Sequence, residues 1–183
     1  VGADKDGNPY VTTKVTKEAL KIYSNQIINI YKDKIIDLSD DFSISTNFVE
    51  CPVELKKRIK KYSSLLKKEF DHYSEVNFDE PFRIFLSLVF HRLDNFQKNK
   101  KGYSSFLEFQ NDLSLFEQEV SNCFNECSFS PNLTRFIEYV DQFKFHGVEM
   151  DIRENANVLN HKSKYVKEYK EFLNLLKRIP EWK

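Results

Sequence analysis

The chain has 183 residues, with 28 Lys and Arg balanced by 28 Asp and Glu, and an apolar share of 40% that includes 17 Phe and 9 Tyr. That content supports a packed core and argues against disorder, at a size suited to one domain or to one large segment of something longer. Zero net charge excludes the broad basic field of a nucleic-acid binder, and no apolar run approaches the ~20 residues that span a bilayer.

Four Gly and five Pro disfavour a many-turned all-β fold, while the Lys, Glu, Leu and Phe content favours helices, so the chain reads as mainly α. After an opening loop over 1–15, Thr16 is placed to cap a helix in which Leu20, Tyr23, Ile27, Ile30, Tyr31 and Ile35 recur at helical spacing. Residues 39–50 are polar and turn-rich and read as a connector. Pro52 suits a first helical turn, and Leu55, Ile59, Tyr62, Leu66 and Phe70 form one narrow stripe on a basic helix. Its Lys56, Lys57, Lys60, Lys61, Lys67 and Lys68 read as a solvated face, with phosphate binding the minor alternative.

Asp79-Glu80-Pro81 opens a third helix whose Phe82, Phe85, Leu86, Val89, Phe90, Leu93 and Phe96 cover more than one stripe, which predicts deep burial. Ser104 or Ser105 starts a fourth, with Glu108 in capping-box position and Phe109, Leu113, Phe116 and Val120 on its inner face. Pro131 opens a fifth, marked by Leu133, Phe136, Val140 and Phe143. The helical region therefore runs over 16–143, and a C-terminal helix is read over 156–178. One segment breaks this rhythm. Within 146–153, Val148, Met150 and Ile152 alternate with Glu149, Asp151 and Arg153, and a period of two predicts a short strand around 147–153.

Asp4-Lys5-Asp6-Gly7-Asn8 has the alternating oxygen donors of a calcium loop. Counted from Asp4, however, the positions that need Gly and a bidentate Glu hold Pro9 and Val15, so calcium is not expected there. Cys123 and Cys127 lie one helical turn apart without further ligands and read as two half-buried thiols rather than a metal site. An odd count of three cysteines makes no disulfide framework and points to a reducing cytoplasm. His72, His91, His146 and His161 show no metal-ligand spacing, and no Walker loop, GxSxG or GxGxxG is present. Arg153 stands at the C-terminal tip of the predicted strand, where a barrel enzyme places anion-binding groups and where a guanidinium fork suits phosphate or carboxylate. Spacing alone favours a plainer reading over that one, an ion pair with Glu149, Asp151 or Glu154. Arg83 and Arg92 likewise read either as ion pairs or as contacts to a neighbouring subunit or an anionic effector.

Several segments, taken in order, resemble one family. Val1-Gly2-Ala3-Asp4-Lys5-Asp6-Gly7-Asn8-Pro9, with Val11-Thr12 and Val15-Thr16, resembles the GGDRDGNPxVTxxVT segment of phosphoenolpyruvate carboxylases. Glu80-Pro81-Phe82-Arg83 and Phe90-His91-Arg92-Leu93 resemble that family's EPYR helix and the R-x-L positions behind it. Residues 143–154 are similar to its FGxxLxxLDIRQ strand. The resemblance covers nearly the whole chain and weakens over the last thirty or so residues.

The resemblance implies a helical segment of a helix-wrapped β/α-barrel, from an enzyme that carboxylates phosphoenolpyruvate with bicarbonate to give oxaloacetate and phosphate. It also implies a Mg²⁺ or Mn²⁺ cofactor, a cytoplasmic tetramer, and no nucleic-acid or membrane partner. Arg153 falls on the DIR arginine, which contacts the substrate phosphate in the family. Asp4, Lys5, Asp6, Gly7 and Asn8 fall on a loop that supports the active site. Ala3 and Lys5 replace Gly and Arg, Lys144 and Gly147 replace Gly and Leu, and Glu154 replaces Gln, so the chain reads as a divergent, bacterial-type member. The family's catalytic histidine segment, metal carboxylates and glycine-arginine loop have no counterpart here. The chain, which starts Val1-Gly2-Ala3 without Met, therefore reads as an excised internal piece, inactive without the remainder of its parent polypeptide. The alternative is a non-catalytic helical interaction or regulatory module on the same scaffold. An excised piece is also expected to expose faces that pack on absent elements, the Phe-rich third helix first.

Overall fold

A computed structural model describes residues 10–124 and 131–149, together with Lys170 and Asn174. Among these residues lie six helices and no strand: α1 (Thr13–Asp41), α2 (Val53–Leu65), α3 (Lys67–Val76), α4 (Pro81–Gln97), α5 (Phe106–Phe124) and α6 (Pro131–Phe143). Lys170 and Asn174 are also helical; the rest of the segment read as a C-terminal helix lies outside the described residues. The chain divides into two compact units, one of 1–27 with 145–183, the other of 28–144.

The mainly α reading holds, and the differences are local. α1 begins one turn before Thr16, because the Thr12 hydroxyl accepts the Val15 N–H (3.4 Å) and caps the helix there. It also runs three residues into the predicted connector, to Asp41. Ile28, Tyr31, Ile35, Leu38 and Phe42 are all buried at alternating three- and four-residue steps, so the apolar stripe continues through a polar-looking sequence. The connector that follows is pinned to the start of α4. The Thr46 N–H donates to the Asp79 carbonyl (2.7 Å), Ser43 Oγ donates to Glu80 (2.7 Å), and Ser45 Oγ to the Asp79 carboxylate.

The helix predicted from Pro52 to Phe70 is two helices. Leu66 leaves helical geometry at φ −127°, ψ 51° while its side chain stays buried, and the bend lets α2 and α3 both lie on α4. α4 is the buried helix that its composition predicts, with Phe82, Phe85, Leu86, Leu88, Val89 and Leu93 fully enclosed. It is not stripped of cover, as an excised piece was expected to leave it, because α2 and α3 pack on it and Phe42, just after α1, closes it together with Phe116 and Phe124 of α5. At the centre, Phe116 meets Phe42 at 5.0 Å, Phe85 at 5.7 Å and Phe82 at 6.0 Å, in the stacked and edge-on geometries that aromatic rings prefer.

The predicted strand is not formed where it is described: residues 146–149 are irregular, with a turn at His146 and a bend at Val148, and 150–153 lie outside the described residues. Two left-handed residues explain the turn. Lys144 has φ +47° and Gly147 φ +73°, conformations incompatible with extended backbone. Lys144 occupies the position just after α6, where a left-handed residue normally ends a helix and Gly is favoured. Its N–H donates to the Val140 carbonyl (2.8 Å), and its own carbonyl accepts the Tyr31 hydroxyl (2.5 Å), so tertiary contacts hold the strained conformation. Lys144→Gly is therefore expected to stabilise the chain by about 1 kcal/mol, since Gly adopts this φ without the Cβ penalty. Urea unfolding monitored by circular dichroism should show a higher midpoint at unchanged slope.

Candidate functional site

The residues that the sequence singles out for chemistry, Asp4, Lys5, Asp6, Gly7, Asn8 and Arg153, lie outside the described residues. Cys127 and His161 do too. His72 is exposed. His91 is half-buried, its ring nitrogen 3.3 Å from the Tyr73 hydroxyl, and burial lowers its pKa so that it stays neutral. Lys56, Lys57, Lys60, Lys61, Lys67 and Lys68 are all exposed, as a solvated face requires. Among the described residues no three His, Cys, Asp or Glu side chains gather into a group able to hold a metal. No helix there is long and apolar enough to cross a membrane.

The structure instead gathers a buried polar cluster that residue spacing did not disclose. Arg92, on the inner face of α4, is 4% exposed. Its guanidinium carbon lies 3.9 Å from the Tyr103 ring centroid and 4.5 Å from that of Tyr62, so two aromatic faces flank the cation. One terminal nitrogen donates to the Tyr62 hydroxyl (2.7 Å) and lies 3.5 Å from the Asp112 carboxylate. The other donates to the Gly102 carbonyl (3.2 Å) and to Glu108 (2.7 Å).

Asp112 is fully buried on α5. It accepts the hydroxyls of Tyr62 (2.6 Å) and Tyr103 (2.7 Å), and Arg58 reaches it from α2. Burial pushes its carboxyl above the ordinary carboxylate value, while the two tyrosine hydroxyls and the charges of Arg58 and Arg92 oppose that rise. Burial and the Asp112 charge in turn raise both tyrosines, which remain neutral donors.

Local sequence places each member. The predicted capping box forms: Glu108 accepts the Ser104 N–H (3.0 Å), and the Ser105 hydroxyl accepts the Glu108 N–H (3.3 Å). The box leaves one Glu108 oxygen for Arg92. Gly102 lets the 98–105 loop fold back on α4, since a Cβ there would stand 2.3 Å from the Phe96 nitrogen and 2.4 Å from the Arg92 carbonyl oxygen. Nothing in this arrangement leaves a face of Arg92 open to an anion. The cluster clamps α2, α4, α5 and the loop together rather than binding a ligand, and Arg92 is neither a subunit contact nor an effector site. Arg83 makes ion pairs at the surface, 3.0 Å from Asp40 and 3.3 Å from Glu80. The signal that could have exposed the cluster was a charge inside an apolar stripe. Arg92 falls between Val89 and Leu93, and Asp112 between Phe109 and Phe116.

Asp112→Ala should destabilise the chain by about 3–5 kcal/mol, because it leaves two buried tyrosine hydroxyls without their acceptor and removes the buried carboxylate that offsets the charges of Arg58 and Arg92; denaturant titration measures it. Glu108 supplies a pH test. Burial raises its pKa, but the Ser104 N–H and the Arg92 guanidinium outweigh burial and hold it below the ordinary value. A depressed carboxylate stabilises the fold above its unfolded pKa of roughly 4.3, and that contribution fades as pH falls through the lower folded value. Glu108→Gln should thus cost about 1–2 kcal/mol at neutral pH, with the difference from the parent vanishing in acid.

The phosphoenolpyruvate carboxylase family model matches residues 1–183. The phosphoenolpyruvate carboxylase of Methylorubrum extorquens is 29% identical over 167 residues, which cover 85% of this chain and 18% of that protein. That of Ralstonia nicotianae is 27% identical over 171 residues, 86% of this chain and 16% of the relative. That of Picea abies is 26% identical over 175 residues, 86% and 18% respectively. The chain thus spans less than a fifth of the length of these relatives.

Proposed function

Because the chain belongs to the phosphoenolpyruvate carboxylase family, we propose that it works as one segment of an enzyme joining bicarbonate to phosphoenolpyruvate, with oxaloacetate and inorganic phosphate as products. The observation that carries this reading is the match of the family over all of 1–183, with the opening Asp4–Asn8 motif and the Asp151-Ile152-Arg153 motif both in place.

In this proposal Arg153 holds the substrate phosphate. A guanidinium offers two parallel charged hydrogen bonds to phosphate oxygens, and it stabilises the charge that moves as the phosphoryl group passes to bicarbonate and an enolate is left behind. Asp4, Lys5, Asp6, Gly7 and Asn8 shape the backbone around the site. Lys5 keeps a positive charge without the bidentate fork of Arg, and Glu154 adds a negative charge beside Arg153 that weakens its hold on an anion. The Mg²⁺ or Mn²⁺ of the reaction is assigned to the rest of the polypeptide, together with the catalytic histidine, because the resemblance places the family's metal carboxylates and histidine segment outside the motifs matched here. The isolated chain is then catalytically silent, and the whole enzyme is a cytoplasmic homotetramer that replenishes oxaloacetate.

Lys5 and Glu154 also favour a second reading, a helical regulatory or interaction module that kept the scaffold without the chemistry. The parent reading frame separates the two. Histidine and metal-ligand segments on either side support the enzyme, and their absence from a full-length parent supports the module.

In the full-length parent, Arg153→Ala should lower kcat/KM for oxaloacetate formation by roughly 10²–10³-fold, the usual cost of losing one charged contact to a transition state. A coupled assay that detects oxaloacetate reads the outcome directly, and an unchanged rate refutes the role of Arg153.

A further inference from the structure

Within the 28–144 unit, α6 runs antiparallel to the second half of α1. The Asn132 amide, at the start of α6, donates to the Asp41 carboxylate at the end of α1 (2.9 Å). Farther along, the Tyr31 ring meets Phe136 at 5.8 Å and Tyr139 at 6.2 Å, and its hydroxyl donates to the Lys144 carbonyl just beyond α6 (2.5 Å). Beside these contacts the two helices line a cavity of about 490 Å³, within the size range of small-ligand sites. It is separate from the cluster around Arg92 and shares no residue with it.

The floor of the cavity is apolar. Leu38 and Phe136 are nearly enclosed beneath it, Ile30 remains 40% exposed, and Tyr139 is half-buried. Its rim is charged. Arg135, exposed on α6, has no ion-pair partner among the described residues. Lys34, exposed on α1, has one, Asp37 at 3.5 Å, and a pair so open to water holds weakly. Asp37 lines the cavity as well, so Lys34 and Arg135 against Asp37 leave the lining one net positive charge. An apolar floor under a few converging polar groups is the usual build of a small-molecule site, and this charge balance suits a ligand with a single negative charge.

We propose that the α1–α6 cavity binds a small amphipathic monocarboxylate, with its aryl or alkyl body on Leu38, Phe136 and Tyr139 and its carboxylate on Arg135 and Lys34. The guanidinium fork matches the two oxygens of a carboxylate, and the ammonium adds a second charged donor once it exchanges Asp37 for the ligand. The aromatic side chains offer a ring or chain both area and edge or face contacts. A phosphate ester fits less well, because its additional charge meets Asp37 rather than a third cation. The ligand class therefore differs from the substrate assigned to Arg153, and the proposal does not depend on that assignment.

The test titrates the isotope-labelled chain with phenylbutyrate and follows its amide signals by two-dimensional NMR. Expected is one saturable site with a Kd of about 1 mM, as a ligand of this size allows, whose shifts centre on Lys34, Leu38, Arg135 and Tyr139. Two matched probes separate charge from bulk: phenylbutyramide, which is neutral, and phenylpropylphosphonate at a pH where it is a dianion. Each should bind roughly three- to tenfold more weakly than the carboxylate. Arg135→Gln, at an exposed position, should weaken phenylbutyrate by a similar factor, and Asp37→Asn should favour the dianion selectively. Shifts absent from these residues, an amide or phosphonate that binds as tightly as the carboxylate, or an Arg135→Gln chain with unchanged affinity would overturn the proposal. Self-association of the chain that phenylbutyrate disperses would place a second copy in the cavity instead, and would overturn it too.

Discussion

Burying the Arg92 guanidinium is the constraint on which the 28–144 unit depends. Removing such an ion from water costs several kcal/mol, and the cost is offset only where every side of the cation is met. Here Asp112 and Glu108 supply charge, Gly102 supplies a carbonyl, and the rings of Tyr62 and Tyr103 cover the two faces. These partners come from α2, α5 and the loop after α4, so satisfying one side chain sets the mutual register of all of them. A slip of one helix by a single turn would leave charges buried without partners, which a purely apolar core would not penalise as strongly.

The aromatic core and this polar cluster share residues and act together. Tyr62 stacks on Phe85 at 6.4 Å, and Phe85 stacks on Phe116, so the ring system that fills the interior also carries the hydroxyl that reaches Asp112. Glu108 has a comparable double role, closing the capping box of α5 with one oxygen and holding Arg92 with the other. Such sharing lets side chains of the 28–144 unit enclose Phe82, Phe85, Leu86, Leu88, Val89 and Leu93 of α4. The interior of the 28–144 unit is closed by its own side chains, while Phe48, Val53, Val76 and Phe78 stay exposed on its surface. The proposed chemistry, by contrast, rests on Arg153 and the 4–8 loop, which contribute to a site finished by other parts of the polypeptide.

The departures from the family pattern gain physical meaning in this frame. Where the resembling motif has Gly, Lys144 stands in a left-handed turn, and the Tyr31 hydroxyl on its carbonyl helps hold it there. Lys144 thus adopts, with tertiary help, a conformation that Gly takes without strain. Lys5 and Glu154 concern charge instead, and bear on how firmly an anion is held.

The sequence by itself determined the elements whose causes are local. The apolar spacing of Phe82 to Leu93 and of Phe109 to Val120, the prolines at 81 and 131, and the Ser105–Glu108 box each act within a few residues, so α4, α5 and α6 were legible from residue order alone. The family was legible for a similar reason, since its motifs are short and contiguous. Only the tertiary structure decided the break at Leu66, the extension of α1 to Asp41, the turn at 146–149 and the meeting of Arg58, Tyr62, Arg92, Tyr103 and Asp112. Each of these depends on partners tens of residues away. A lone charge in an apolar stripe looks the same on paper whether it is solvated or enclosed, and only the packing of distant segments brings the groups that make enclosure affordable.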